Sequence, residues 1–407
     1  MLSSRGAKSA ASIDIPWRFA PGGNNPYDAV SNPTGVISFA TAENNLMHEE
    51  LHHFVQKNVS IPQSAYAYRY STMGGTRFPA ALAAHINTFF RPAAPVRAQD
   101  VITASGLTAI HELLGYSLAD PGEGILVSRP IYGRFELDFG NTSALRMVYA
   151  DMDGVVDPLS AAAVPKYAAA LQTAQQHGIR VRALLIVNPN NPLGRTYTPD
   201  ALRALMAFCE ANSLHLVSDE VYALTAEEGT FTSVLSLDCA GLVDENRVHV
   251  LYGMSKDFAA AGLRLGSLVT RNTSLRKAVA CNMRFHNPSG PSIAIGTAIL
   301  NDTAFVASFM ALSRARLHDS RAFTMRVLDE AGVRYQKANA GFFLFIDLSP
   351  WLEGPATDGH DREYSLAQKL LDAGVGLHPC EEHADTEGQF RLVFSQEREI
   401  LTEGLKR

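Results

Sequence analysis

Hydrophobic runs of strand length alternate with segments of helical periodicity between about residue 100 and residue 270. The runs are rich in aliphatic residues, and most of them end in polar or turn residues. With those endings they lie at 124–130, 145–150, 182–190, 214–220, 247–253 and 264–272. Between them, apolar positions recur with the period of a helix at 108–120, 158–178 and 198–213. This alternation predicts an α/β fold in which helices sandwich a mostly parallel sheet.

The pattern changes after residue 290, where a long helical stretch leads to two short apolar strands around another helix. Residues 1–45 are rich in Gly, Pro and Asn and predict an irregular arm. We therefore predict three parts. They are the arm at 1–45, which belongs to the small domain, a large domain at 46–290, and a smaller α+β domain at 291–407.

Polar side chains stand where three of the predicted strands end. Asn191 lies in "NPNNPLG", Asp219 and Tyr222 lie in "SDEVY", and Lys256 lies in "GMSK". In a parallel α/β sheet the ligand sits beyond the carboxyl ends of the strands. The sequence therefore predicts that these side chains meet at one site.

Each of these signals alone has an ordinary structural explanation. "NPNNPLG" is a typical turn, Asp219 is compatible with a solvated strand end, and Lys256 with a surface lysine. Ser105, which precedes the helical stretch "LTAIHELL", is compatible with a helix N-cap. Taken together and in this order, they match what one cofactor, pyridoxal phosphate, requires.

The chemistry of pyridoxal phosphate explains the choice of residues. Its aldehyde forms an imine with a lysine such as Lys256, and an aspartate such as Asp219 favours the protonated ring nitrogen. Asn191 and Tyr222 can donate to its phenolate oxygen. A helix N-terminus, hydroxyl groups and the planar fork of an arginine favour its phosphate. The candidates for the phosphate are Ser105, Gly106, Ser255 and Arg264.

Composition narrows the partners and the compartment. The net charge of −6 and the pI near 6.1 give no reason to expect nucleic acid or an anionic membrane. No apolar run reaches the ~18 residues of a membrane span. The cysteines are widely separated, at Cys209, Cys239, Cys281 and Cys380. We therefore expect a cytoplasmic protein without a disulfide framework.

The stretch "HEELH" at 48–52 matches the H-E-x-x-H pattern of zinc proteases. His48 and His52 would lie on one face of a helix, with Glu49 as a base. The pattern is short, its sequence context offers no third ligand, and the stretch is far from the predicted strand ends. We therefore expect a solvated helix face and no metal.

The whole arrangement resembles the fold-type I pyridoxal-phosphate enzymes of the class I/II aminotransferase family. Within that family it is most similar to the 1-aminocyclopropane-1-carboxylate (ACC) synthases and their fungal and animal relatives. The stretches that carry the resemblance are "NNPYDAVSNPTGVISFATAENNL", "YSLADPGEGILVSRPIYGRF", "NPNNPLG", "SDEVYA", "SKDFAAAGLRLG" and "FRLVFS". The resemblance implies a homodimer that binds pyridoxal phosphate and an α-amino acid, S-adenosylmethionine being one candidate.

The resemblance also implies roles for individual residues. Lys256 would bind the cofactor and move the α-proton of the substrate, and Asp219 would face the ring nitrogen. Contacts to phosphate, ring and phenolate oxygen fall on Ser105, Gly106, Leu107, Tyr132, Asn191, Tyr222, Ser255 and Arg264. Many relatives have threonine where this chain has Leu107. Arg391 would bind the substrate carboxylate near Asn191, and Glu43 matches a glutamate that ACC synthases place near the sulfonium substrate.

One stretch departs from the ACC-synthase pattern. Those enzymes have a Y-H-G-L-P-x-F-R-like turn whose tyrosine reaches the cofactor of the neighbouring subunit. Here the stretch reads "AYAYRYSTMGGTRFPAAL". Tyr70 is the nearest candidate, but it lies two residues too far from Phe78, and an ungapped comparison offers Thr72. The departure leaves cyclopropane formation open.

Three reactions therefore remain open at this stage. The first is displacement of methylthioadenosine from S-adenosylmethionine, and the second is elimination or replacement at the β- or γ-carbon. The third is transfer of the amino group to a 2-oxo acid, as in a transaminase. A non-catalytic relative acting as a binding module is a further alternative, which the presence of both Lys256 and Asp219 disfavours.

Overall fold

The computed structural model describes most of the chain. The described residues are 1–12, 25–152, 154–354, 361–379 and 386–407. Cys380 and part of the predicted arm, residues 13–24, lie outside them.

A seven-stranded sheet with the strand order β2-β8-β7-β6-β5-β3-β4 forms the centre of the fold. Its strands are β2 (Val101–Ser105), β3 (Gly124–Arg129), β4 (Arg146–Asp151), β5 (Val181–Val187), β6 (His215–Asp219), β7 (Val248–Gly253) and β8 (Leu265–Thr270). All neighbouring pairs are parallel except those made by β8. The prediction of a mostly parallel sheet is confirmed. The sequence analysis missed β2, since its first predicted strand begins at residue 124.

The antiparallel course of β8 follows from its connection to β7. A parallel pair needs a crossover of a dozen or more residues, usually a helix. The connecting segment 254–264 contains only a short 3-10 turn, Ala261–Leu263. Because this segment is too short to cross the sheet, β8 returns beside β7 in the opposite direction.

Helices cover both faces of this sheet. They are α4 (Arg77–Phe89), α5 (Leu107–Leu118), α6 (Phe135–Gly140), α7 (Val164–Gln176), α8 (Pro199–Ala211) and α9 (Thr273–Asn282). Three helices precede them in the chain, α1 (Ser4–Ala11), α2 (His48–Asn58) and α3 (Tyr68–Ser71), and α1 has no buried residue. Alternate residues of β5 enter different hydrophobic cores. Leu184 and Ile186 belong to one core, and Leu185 and Val187 to the other. This explains why β5 reads as a continuous apolar run.

The long helical stretch after residue 290 is two helices rather than one. They are α10 (Gly290–Asn301) and α11 (Thr303–Glu330), and their axes meet at 87°. Asp302 lies at the break and accepts a hydrogen bond from the Phe305 amide at 2.9 Å, which starts α11 with an N-cap. Among the described residues no single helix has the length and apolarity to span a membrane, although this bent pair passes that test jointly.

The C-terminal part forms a separate antiparallel sheet with the order β12-β13-β10-β9. The remaining elements are β1 (Ile37–Ser38), β9 (Arg334–Tyr335), β10 (Phe343–Asp347), α12 (Asp361–Asp372), β11 (Val375–Gly376), β12 (His378–Pro379), β13 (Gln389–Val393) and α13 (Arg398–Lys406). The arm strand β1 pairs in parallel with β11 in a two-stranded sheet, so the arm contacts the C-terminal part of the chain. The division at residues 45 and 290 stays a prediction.

Strand register brings the polar strand ends together. Val187 pairs with Asp219, and Asp219 pairs with Leu251 across β5, β6 and β7. The residues that follow these strands, Asn191 and Lys256, therefore leave the sheet at the same edge.

Candidate active site

A cleft of about 380 Å³ lies at this edge of the large sheet. Its walls come from the arm, from α5 and α6, from the ends of β5, β6 and β7, and from β12 and β13. Ten of the predicted site residues line it: Glu43, Leu107, Tyr132, Asn191, Asp219, Tyr222, Ser255, Lys256, Arg264 and Arg391. The fold therefore brings together residues that lie up to 348 positions apart, from Glu43 to Arg391.

Lys256 is partly buried in this cleft, just beyond β7. Its Nζ donates to the carbonyl oxygen of Ala42 at 2.6 Å and lies 6.0 Å from the centre of the Tyr222 ring. Burial, and then the positive charge of Arg391, lowers the pKa of Lys256 to about 8. More of the amine is therefore neutral and nucleophilic near neutral pH than in an ordinary lysine.

Asp219 is buried at the end of β6, with 5% of its surface exposed. Its Oδ1 accepts from the Val221 amide at 3.1 Å, and its Oδ2 lies 3.4 Å from His111 Nε2. The other ring nitrogen of His111 is 2.8 Å from Asp138 Oδ2. Asp219 thus has one oxygen held by the backbone and the other beside an imidazole.

Arg391 and Asn191 form one hydrogen-bonded unit. Arg391 Nη1 donates to Asn191 Oδ1 at 3.1 Å, and its Nη2 donates to the carbonyl oxygen of Ala40 at 2.5 Å. Because Oδ1 of Asn191 accepts from Arg391, the Nδ2 group of Asn191 is available as a donor. Burial raises the pKa of Tyr222 far above its usual range, so its hydroxyl remains a donor as well.

Gly106 allows a close approach between the start of α5 and Arg264. Gly106 has φ +94°, and a Cβ at this position would lie 2.4 Å from Arg264 Nη2. A Cβ on Gly266 would lie 2.4 Å from the Leu107 amide nitrogen. The two glycines therefore place an arginine fork and free helix amides side by side, which is an anion-binding arrangement.

These observations fit pyridoxal phosphate. The cleft has a lysine with a lowered pKa, a buried carboxylate opposite, and an anion site made by Gly106, Leu107 and Arg264. Asn191 and Tyr222 supply neutral donors between them. Ser105 adjoins the anion site from the end of β2, and its amide donates to the His286 carbonyl oxygen at 2.8 Å.

Several residues of the cleft were not predicted. They are Ala40, Thr41, Ala42, Thr108, His111, Arg134, Phe135, Asp138, Val187, Val221, Ala261 and His378. Helical spacing could have found His111, since it follows Leu107 by four residues and so lies on the same face of α5. No comparable signal marks Asp138 or the arm carbonyls, whose positions depend on tertiary packing.

Tyr70 and the "HEELH" helix lie away from this cleft. Tyr70 is partly buried against the hydrophobic core that contains Leu184 and Ile186. It does not line the cleft of its own chain. The "HEELH" stretch begins α2, where His48, Glu49 and His52 are exposed. Within the part of the chain that the structure describes, no group of three or more His, Cys, Asp or Glu side chains is arranged to hold a metal ion.

Comparison with known proteins assigns the chain to a family. The family model described as aminotransferase class I and II matches residues 34–407. The chain belongs to the class I and II aminotransferase family. The enzymes of this family that it resembles depend on pyridoxal phosphate, which confirms the predicted cofactor and the enzyme class.

One curated relative of this family member is named as an ACC synthase, and another is named as an ACC synthase-like protein. The Bos taurus protein named ACC synthase-like protein 1 is 31% identical over 394 residues, covering 94% of this chain and 77% of that protein. The Prunus mume ACC synthase 1 is 30% identical over 397 residues, covering 94% of this chain and 80% of that enzyme. The predicted resemblance to ACC synthases is confirmed at this level.

Solved structures with the same fold include aspartate aminotransferases. One from Thermus thermophilus has a TM-score of 0.76 with 20% identity, covering 100% of this chain and 96% of its own. One from Rhodobacter sphaeroides has a TM-score of 0.75 with 20% identity, covering 99% and 97%. At this identity the likeness shows the fold, and the fold class predicted from the sequence is confirmed.

Proposed function

We propose that this family member removes the α-proton of an amino acid and displaces a leaving group from its γ-carbon, as an ACC synthase does with S-adenosylmethionine. Related elimination or replacement at the β- or γ-carbon uses the same first step. The observation that carries the proposal is the position of Lys256 in one cleft with Asp219, Arg391 and Glu43. We expect the enzyme to act in the cytoplasm.

Lys256 is the base in this proposal. Pyridoxal phosphate supplies a ring that stabilises negative charge at the α-carbon of the substrate. The lowered pKa of Lys256 matches the requirement that a general base titrate near the working pH. The Ala42 carbonyl oxygen, 2.6 Å from Nζ, holds the amine in the cleft.

Arg391 binds the substrate carboxylate in this proposal. The residue is 6% exposed, and its guanidinium is fixed by Asn191 and by the Ala40 carbonyl oxygen. A planar fork held in this way can pair with a carboxylate through two hydrogen bonds. Such a contact orients the bond to the α-hydrogen relative to Lys256.

Glu43 supports γ-displacement from a sulfonium substrate. It lies in the arm and lines the same cleft as Lys256. The negative charge of a carboxylate there favours binding of a substrate that has a positively charged sulfonium group, which leaves as a neutral thioether. The names of the relatives that are about 30% identical point to the same reaction.

Amino-group transfer to a 2-oxo acid is the alternative reaction. Lys256, Asp219 and Arg391 serve it equally well, since both reactions begin with loss of the α-proton. The altered stretch around Tyr70 and Thr72, where ACC synthases have a conserved turn motif, favours this alternative.

Product analysis separates these reactions. The enzyme with pyridoxal phosphate is incubated with S-adenosylmethionine, and then with common amino acids in the presence and absence of a 2-oxo acid. Mass spectrometry of the products should show methylthioadenosine and ACC if the proposal holds. Amino-group exchange without methylthioadenosine would replace the proposal with a transaminase, and binding without any turnover would indicate a binding module.

Replacing Arg391 by alanine should raise KM for the amino acid by about 100-fold, because a charged, paired hydrogen bond contributes ~1.5–3 kcal/mol. The absorbance of the bound cofactor should stay as in the wild type. Arg391→Lys keeps the charge without the fork and should recover only part of the affinity. An altered cofactor spectrum in Arg391→Ala, with KM unchanged, would contradict the assigned role.

We propose that the enzyme is a homodimer that covers an apolar face beside the cleft. Tyr66, Tyr68 and Phe285 on this face are 75%, 98% and 83% exposed. The Met73 amide donates to Asn287 Oδ1 at 2.9 Å, which joins the two segments that carry the face. The face adjoins the anion site, since the carbonyl oxygen of His286 accepts from the Ser105 amide.

Tyr70 should act on the cofactor of the partner subunit. We expect Tyr70→Phe and Lys256→Ala each to be impaired as separate homodimers. A mixture refolded together should regain activity, because one site of each mixed dimer has both a native Lys256 and a native Tyr70 from the other chain. Activity that is unchanged in Tyr70→Phe, or not regained in the mixture, would contradict this role.

A further inference from the structure

His111 lies between two carboxylates at the inner end of the cleft. Its Nδ1 is 2.8 Å from Asp138 Oδ2, and its Nε2 is 3.4 Å from Asp219 Oδ2. The side chain of His111 is 4% exposed, and those of the two aspartates are each 7% exposed. Water is therefore a poor substitute partner for these three groups.

Two carboxylates around one imidazole indicate that the imidazole is protonated. A neutral imidazole has one N–H donor and one acceptor nitrogen, whereas an imidazolium has two donors. A neutral ring would aim a lone pair at one of the carboxylate oxygens. Burial disfavours the charged ring, but the hydrogen bond to Asp138 and the negative charges of Asp138 and Asp219 outweigh burial and raise the pKa of His111 to about 9.

The surroundings of His111 fix its orientation. The rings of Phe135 and Phe139 on α6 lie 5.1 Å and 5.6 Å from the imidazole. Asp138 faces it from α6 and Asp219 faces it from the end of β6, while Glu112 on α5 pairs with His286 at 3.4 Å. The other charged or titratable groups of the cleft are Glu43, Tyr132, Arg134, Tyr222, Lys256, Arg264, His378 and Arg391.

We propose that His111 is a positioning residue that, as an imidazolium bridging Asp138 and Asp219, fixes the carboxylate that faces the ring nitrogen of the cofactor. This inference rests on the role proposed above for Asp219. The bridge carries one positive and two negative charges, so its net charge of −1 matches a single protonated ring nitrogen. Without the imidazolium, two buried like charges would face each other, and one carboxylate would take up a proton.

The charge state of His111 can be measured with and without the cofactor. Histidine is labelled with ¹³C at Cε1, and its NMR signals are followed with pH in the apoenzyme and in the holoenzyme. The signal of His111 is assigned by its absence in His111→Phe, which keeps a ring between Phe135 and Phe139. We expect it to report an imidazolium at pH 7.5 that loses its proton near pH 9.

Matched carboxylate variants test the bridge itself. Asp138→Asn should shift the His111 titration to lower pH, because the ring loses a negative partner. Glu136→Gln removes a charge from an exposed position on the same helix and should leave the titration in place. A neutral imidazole at pH 7.5 in the wild-type apoenzyme would overturn the proposal, whether or not the cofactor binds to Lys256.

Turnover tests the positioning role. His111→Phe should lower kcat by about 10-fold to 100-fold with KM unchanged, because Asp219 loses a constraint rather than a substrate contact. The pH at which the absorbance of the bound cofactor titrates should shift as well. His111→Gln, which keeps one N–H donor, should recover part of kcat. Values of kcat within twofold of the wild type in His111→Phe would overturn this role. If His111→Phe fails to fold, the kcat of Asp138→Asn takes its place in this test.

Discussion

Lys256→Ala should lower kcat by at least about 10³-fold, the range that a positioned acid or base contributes together with covalent attachment. The other residues that we propose to hold the cofactor are unchanged in this variant, namely Gly106 and Arg264 at the anion site and the donors Asn191 and Tyr222. We therefore expect the variant to retain pyridoxal phosphate without the covalent link. Stopped assays for product, with absorbance spectra of the bound cofactor, check this result.

A matched control and a rescue experiment sharpen the test of Lys256. Lys277 is an exposed lysine on α9, and Lys277→Ala should have wild-type kcat. A small primary amine added to Lys256→Ala should restore part of the activity, because it can replace the missing proton acceptor in the space left by the side chain. Wild-type turnover in Lys256→Ala without added amine would contradict the role of this residue.

Asp219→Asn should lower kcat by about 10³-fold, because the amide has almost the same shape but no charge to hold the ring nitrogen protonated. The change also leaves His111 Nε2, 3.4 Å away, beside a neutral side chain. KM for the amino acid should change little, since Arg391 binds the carboxylate in this account. Steady-state kinetics over a pH series measures both constants.

The control for Asp219→Asn is a carboxylate of the same type away from the cleft. Asp200 is exposed in the first turn of α8, and Asp200→Asn should have wild-type kcat. An unchanged kcat in Asp219→Asn would mean that this carboxylate does not face the ring. A raised KM with an unchanged kcat would assign Asp219 to substrate binding instead.

The sequence predicted the parallel part of the sheet well because its strands are buried on both faces. Residues 183–187 of β5 form an unbroken apolar run, and the polar residues at the ends of β5 and β6 mark the edge at which Asn191 and Asp219 leave the sheet. No strand was predicted at β2, which is five residues long and joined to α5 by Gly106 alone. The pattern also continued one helix across Asp302, where only a cap and an 87° bend divide α10 from α11.

The residues of the site also divide into those that local sequence places and those that tertiary packing places. Those attached to a strand end or a helix start, such as Lys256 and Gly106, could be predicted because local sequence places them. Asp138 could not be predicted, because its contact with His111 depends on how α6 packs against α5. The carbonyl oxygen of Ala40 accepts from Arg391, and that of Ala42 accepts from Lys256. Such contacts to the backbone cannot be predicted from residue type.

The covalent attachment of the cofactor tests the central claim most directly. Freshly purified enzyme supplied with pyridoxal phosphate is reduced with borohydride, digested, and mapped by mass spectrometry. We predict the reduced cofactor on the Nζ of Lys256, in the peptide that contains "GMSKDFAAAGLR". An adduct on another lysine, or no adduct under these conditions, would contradict the account.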